Sequence, residues 1–158
     1  MEPSRLKLEA YHLVRISITP HPDAEAIPLG QVADFENLEF SSEITFHDLT
    51  ESKENDSRQG LSLAISVKRG EAKDFPYQIE MEMFGVFDAN GFPEEKRVPL
   101  VLVNGASLLY SAMREMLLAT TQRCLHGAVM LPSVHFTRLE KDYLAEQTKT
   151  STEIVGTG

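Results

Sequence analysis

Residues 104–125 carry more apolar surface than one small sheet can cover. At about 100° per residue, Leu109, Ala112, Met113, Met116, Leu117 and Thr120 fall on one face of a helix, while Leu108, Tyr110, Leu118 and Leu125 lie away from it. Only Ser111, Arg114, Glu115, Thr121 and Gln122 supply a polar strip. A helix that is apolar on two sides is buried between two layers. The chain has 158 residues, 42% of them hydrophobic, which suits a single domain with its own core. The second cover for the helix is therefore expected from another copy of the chain.

Composition narrows the function class. The formal charge of -9, from 15 basic and 24 acidic residues, argues against nucleic-acid partners, which call for a basic stripe to replace counterions. The acids are dispersed and read as a solvated surface. No stretch reaches the roughly 18–20 apolar residues that span a bilayer, so no membrane insertion is expected. Met1-Glu2-Pro3-Ser4-Arg5-Leu6 lacks the build of a signal peptide, which points to a cytoplasmic protein. The single cysteine, Cys124, permits no internal disulfide and no cysteine-based metal site.

Period-two alternation marks four strands. The first runs from Leu8 to Ile18, with Leu8, Ala10, His12, Val14, Ile16 and Ile18 on one parity. A crossover with three prolines, Thr19 to Gly30, follows it; proline suits neither helix nor ladder. Leu38, Phe40, Ser42, Ile44 and Phe46 form the second alternation and Leu61, Leu63, Ile65 and Val67 the third, joined by the polar run Thr50 to Gly60. Tyr77, Ile79, Met81 and Met83 alternate with Gln78, Glu80 and Glu82 in the fourth. Such a sheet is antiparallel, with one apolar and one wet face. After the extended segment Val98 to Val103, Asn104 is expected to cap the long helix, and Thr137-Arg138-Leu139-Glu140 fits a capping box opening a shorter one. The expected fold is α+β, a four-stranded antiparallel sheet followed by two C-terminal helices. Residues 1–147 form one domain, and 148–158, small and polar, are expected to be a disordered tail.

Here the chain resembles a known family. Ser107 to Glu115, then fifteen residues, then Leu131-Pro132-Ser133-Val134-His135-Phe136 and a helix ending Tyr143-Leu144-Ala145-Glu146-Gln147, is similar to the C-terminal half of the SecB export chaperones. Gly85-Val86-Phe87 stands where that family has Gly-Ile-Phe. The resemblance implies a homotetramer, a dimer of dimers with the long helices sandwiched between two sheets. It also implies binding of unfolded polypeptides or preproteins in hydrophobic grooves, with no cofactor, no metal and no nucleotide hydrolysis. Matching positions make Tyr77, Met81, Phe87 and Phe136 groove candidates, and Phe35 and Leu38 follow from their place after the crossover. Leu108, Tyr110, Leu118 and Leu125 become the oligomer-interface helix positions.

One surface departs from the family pattern. The family docks the SecA motor on acidic first-strand positions plus a leucine and a glutamate of the fourth strand. Here those positions hold Arg15, Thr19 and Gln78, leaving only Glu80 as a residual motor-docking candidate. Reversed charge weakens an interface with a basic partner. A chaperone holding non-native polypeptide is the leading reading, and the altered surface leaves open a second one, a dedicated SecB-like adaptor for one client such as the antitoxin of a toxin-antitoxin pair. An enzyme is the third reading, with no motif behind it. His21-Pro22-Asp23 sits in a proline-rich crossover, without the two helices that a J-domain loop needs. His12, His47, His126 and His135 lack ligand spacing. Asp88-Ala89-Asn90-Gly91 reads as a turn with Asn90-Gly91 suited to positive φ, not as a calcium loop.

Overall fold

The computed structural model describes residues 5–28, 30–31, 33, 38–49, 57–70, 75–139, 141–143 and 145. The four strands are β1 (Lys7–Pro20), β2 (Glu39–Asp48), β3 (Arg58–Lys68) and β4 (Tyr77–Asp88). They form one antiparallel sheet in the order β1-β4-β3-β2. The first and second strands in sequence are thus the two edges, and the crossover between them traverses the width of the sheet.

Alternation does what the sequence implies in β3 and β4. Leu61, Leu63, Ile65 and Val67 of β3 and Tyr77, Ile79, Met81, Met83 and Phe87 of β4 face inward and are buried. Ser62, Ala64, Ser66, Glu80 and Glu82 lie on the opposite, wetter face. One large side chain breaks that rule. Phe84 lies on the wet face across Gly60, where an added Cβ would sit 2.8 Å from its ring, and meets the His47 ring edge-on at 5.7 Å.

The single parity expected of β1 is corrected. Register shifts between Leu8 and Ala10 and between Leu13 and Arg15 each insert a residue. Leu8, Ile16 and Ile18 lie opposite Phe87, Met81 and Ile79 on the core face, whereas Ala10 and His12 lie opposite Val86 and Phe84 on the wet face. Between the bulges Leu13 and Tyr11 oppose Met83 and Gly85, so they take the inner side. A bulge flips every side chain beyond it until a second restores the phase. Tyr11 and Leu13 nevertheless stay 49% and 41% exposed, beside Val14 at 57%.

The start of the helical region is also corrected. Helix begins at α1 (Glu94–Leu100), passes through a π-helical turn at Val101–Gly105 and continues as α2 (Ala106–Thr121). Val98 to Val103 is therefore helical, and Asn104 lies inside the π turn, not at an N-cap. Pro93 at the N-cap and Glu94 and Glu95 in the first turn suit a helix start. Pro99 lacks an N–H for the ladder, and π turns accommodate such irregularities. The β-branched valines mimic a strand in one dimension. Three-dimensional packing overrides that propensity, with Val101, Leu102, Ala106, Leu109, Met113 and Leu117 buried against the sheet.

Phe87 seats the helix on the sheet. An added Cβ on Gly105 would lie 3.0 Å from Phe87 Cζ, and one on Gly85 would lie 2.9 Å from Phe87 Cε2 and from Leu109 Cδ2. The same ring edge thus fills the space left by two absent side chains, one on β4 and one at the helix. The turn after β4 is built by side chain: the Asp88 carboxylate accepts hydrogen bonds from Ser57 Oγ at 2.7 Å and Asn90 N at 2.9 Å. The Ser57 bond, first among these influences, holds its pKa low. Gly91 does not adopt the positive φ expected of it. Residues 137–139, 141–143 and 145 are helical, so the shorter helix is present, while Glu140 of the capping box and the tail 148–158 lie outside the described residues.

Candidate functional site

Helix α2 holds the following chain against itself at three points. Thr121 Oγ1 accepts from Val129 N at 2.9 Å, Arg114 Nε donates to Leu131 O at 2.9 Å, and Tyr110 Oη donates to Pro132 O at 2.8 Å. As the chain advances from 129 to 132 its anchor retreats from 121 to 110, so the segment runs back along the helix. The span of fifteen residues between Glu115 and Leu131 has a physical cause in these bonds.

Beyond the last pin, Val134, His135, Phe136, Arg138 and Leu139 face Phe40, Ser42 and Ile44 of β2, with Tyr110 between them. Together they line a cleft of about 200 Å³. Its back wall is an aromatic pair, the Tyr110 and Phe136 rings meeting edge-to-face at 5.7 Å and 70°. Its floor is the inner face of an edge strand. No further strand lies beyond β2 among the described residues, so β2 is an edge of the described sheet.

Burial pushes the Tyr110 hydroxyl up to about 12, opposed in part by the Arg114 charge. An unfolded tyrosine ionises near pH about 10, so the folded state holds its proton more tightly. The resulting stabilisation is full below pH about 10 and is lost as pH rises towards about 12. Tyr110→Phe is expected to remove most of this alkaline loss while costing about 1 kcal/mol at neutral pH through the orphaned Pro132 carbonyl. Urea melts of both proteins at pH about 8 and about 11 check this; an unchanged alkaline loss in the variant would contradict it.

A second, wider cleft of about 480 Å³ lies between Ile27, Pro28, Gly30 and Gln31 of the crossover and Leu118, Gln122, Gly127, Ala128 and Met130. The crossover is tied here by Ile27 N donating to His126 O at 2.8 Å, and Tyr77 Oη donates to Gly127 O at 3.0 Å. Gly127 has φ 93, and a Cβ there would sit 3.0 Å from Ile27 Cβ, so glycine serves both the turn and the close approach. At the start of the crossover Asp23 accepts from Arg69 Nη1 at 2.7 Å, the chief reason its pKa is lowered. His21-Pro22-Asp23 is thus part of a structural clamp.

Among the residues expected from sequence, Phe136 lines the first cleft, and Leu38 packs half-buried at the margin of the core. Tyr77, Met81 and Phe87 are 2%, 0% and 0% exposed and are core side chains. Phe35 lies outside the described residues. Leu108 on α2 is exposed and Leu118 lines the second cleft, whereas Leu125, expected on the helix, lies in the turn beyond its end at Thr121 and is 87% exposed. Tyr110 turns inward to Pro132 and Phe136. Glu80 lies 3.5 Å from Arg15 on the wet face. Phe40, Ser42, Ile44, Val134 and Leu139 also line the first cleft, beyond the groove candidates expected from sequence. The parity that Phe40 and Ile44 share with Leu38 was the available signal. Among the described residues no group of three or more His, Cys, Asp or Glu could hold a metal ion, and no helix is long and apolar enough to cross a membrane.

Known proteins share both sequence and architecture with this chain. The family described as preprotein translocase subunit SecB matches residues 36–147. Proteins named protein-export protein SecB from Brucella ovis and Brucella canis are each 25% identical over 85 residues, 54% of this chain and 52% of theirs. The match therefore spans about half the length of these curated relatives. A SecB-like chaperone of Mycobacterium tuberculosis, solved with a peptide from the HigA1 antitoxin, superposes with a TM-score of 0.54 at 17% identity, covering 82% of this chain and 91% of that one. The four-stranded antiparallel sheet with its following helices is the fold of that chaperone. With the family match extending from before β2 to the C-terminal helix, this chain belongs to the SecB family.

Proposed function

We propose that this protein is a non-enzymatic chaperone of the cytoplasm that holds non-native polypeptide, unfolded chains or preproteins, in extended form. The cleft between β2 and the pinned C-terminal segment carries this reading. It offers aromatic and aliphatic walls beside an edge strand of the described sheet, which suits an extended chain through backbone pairing and alternate side chains. The Mycobacterium tuberculosis chaperone was solved with a bound peptide, and its fold is shared here.

The working form is proposed to be a homotetramer, a dimer of dimers. Exposed Tyr11, Leu13 and Val14 on edge strand β1, and exposed Leu108 and Leu125 on the helical side, are apolar surface that a second copy would cover. Leu125→Glu is expected to leave the circular dichroism spectrum of the folded protomer unchanged, because an 87% exposed side chain contributes little to the core, while lowering the mass seen by light scattering. An unchanged mass would contradict this role for Leu125.

A second reading, an adaptor for one client such as an antitoxin, is favoured by the Arg15 and Glu80 pair. The one retained acidic position faces a cation at 3.5 Å, so it presents little negative charge to a basic motor such as SecA. One experiment separates the readings. The protein is added to several unrelated, chemically unfolded proteins and their aggregation is followed. Suppression for most of them supports the general chaperone, suppression for an unfolded antitoxin included in the panel and for no other supports the adaptor, and suppression for none would sink both.

A further inference from the structure

The helix that brings Leu139 to the first cleft is described as far as Ala145, and residues 146–158 follow it outside the described part. Ala145 stands six positions beyond Leu139, about 9 Å along a helix at about 1.5 Å per residue. Ile154 stands nine positions beyond Ala145, and nine extended residues reach about 30 Å at about 3.3 Å each. The chain after the helix is therefore long enough to turn back into the cleft beside its own wall.

Its composition fits that place. Between Glu146 and Gly158 the apolar side chains are Ile154 and Val155, and with Thr150 and Thr152 they make a β-branched run that favours extended backbone. Alternate residues of an extended chain share a face. Thr150, Thr152 and Ile154 form one row without charge, whereas Ser151, Glu153 and Val155 form a row that carries a carboxylate. Only the first row enters an apolar cleft without burying an unpaired charge. The β2 wall leaves room for it, because Ser42 lies opposite buried Ile65 yet is itself exposed, between Phe40 and Ile44.

We propose that the chain's own segment Thr150–Val155 lies along the edge of β2 with Ile154 seated in the cleft, an autoinhibitory strand that a client has to displace. The proposal rests on the holding function above and concerns its regulation. Glu153, next to Ile154, then faces outward on the side of the cleft where Arg138 supplies a cation. A chaperone with such a strand keeps its apolar cleft covered when no client is present, which guards against self-association through exposed apolar surface.

The test uses the full chain, with folding of each variant confirmed by circular dichroism. A tether holds its segment at about millimolar effective concentration, so a segment whose untethered Kd is about 0.2 mM weakens a competitor about sixfold. Ile154→Asp is expected to tighten binding of a reduced, permanently unfolded protein by that factor. With no client present, it should also speed amide exchange on the β2 side facing away from β3. Val155→Asp, on the other row, should change either quantity by less than about twofold. A synthetic peptide of residues 148–158, added to the Ile154→Asp protein at about millimolar concentration, should restore slow exchange in β2. Ile154→Asp with both quantities unchanged would overturn the proposal, and equal effects of the two variants would overturn the inward row. Protection of β2 that grows with protein concentration would overturn it as well, because a second copy would then fill the cleft. Exchange is measured without a client and so tests the segment by itself; absence of client binding in every variant overturns the holding function instead.

Discussion

Phe87→Ala is expected to lower stability by about 3–5 kcal/mol, the range for truncating a fully buried phenylalanine. Domains of this kind have only about 5–15 kcal/mol in total. The reason lies in what surrounds the ring. Gly85 and Gly105 both present bare backbone to its Cε2 and Cζ edge, so neither neighbour has a side chain with which to close the void. The reverse error, Gly105→Ala, pushes a methyl to 3.0 Å from the same ring and is expected to cost about 1–3 kcal/mol by overpacking. Denaturant melts of the two variants check both values. If Phe87→Ala proves no more harmful than Gly105→Ala, the ring is not the seat of the helix.

Leu139→Asp is expected to reduce affinity for unfolded polypeptide by at least about tenfold, because it sets a carboxylate in an apolar wall where it has to be desolvated by any bound chain. Leu139 is only half-buried and lies on the C-terminal helix. Fold stability should therefore change far less than with Phe87→Ala. Calorimetric titration with a reduced, permanently unfolded protein, beside a thermal melt of the variant, separates lost binding from lost folding. Unchanged affinity would remove the C-terminal helix from the cleft.

The sheet was legible in the sequence because β2, β3 and β4 keep period two without interruption, and one face of β3 and β4 is fully covered. β1 was legible as a strand but not in phase. Its two bulges carry no glycine or proline at the shifts, so nothing local announces that Tyr11 and Leu13 change sides. The helix start was hidden by Val98, Val101 and Val103, whose strand propensity yields to burial of the helix on the sheet.

Site residues were harder to read because a cleft depends on strand order. Tyr77, Met81 and Phe87 carry the right chemistry for a groove, but β4 is central, between β1 and β3, and its inner face lies under the helix. β2, with a similar pattern, is an edge, so Phe40, Ser42 and Ile44 are the ones within reach. Tyr110 read as a second helix face because its own periodicity points away from Leu109 and Met113. Its destination, the Pro132 carbonyl, lies 22 residues away, beyond the reach of any helical repeat.

In the proposed holding mode an extended polypeptide lies between the outer edge of β2 and the segment from Val134 through the C-terminal helix. Amide hydrogen exchange, measured on the full chain with and without a saturating unfolded protein, tests it most directly. Slowed exchange is expected at Glu39–Asp48 and across residues 134–145, with much smaller change in the central strands, whose amides are already paired. Slowed exchange confined to β1, or none in β2, would contradict it.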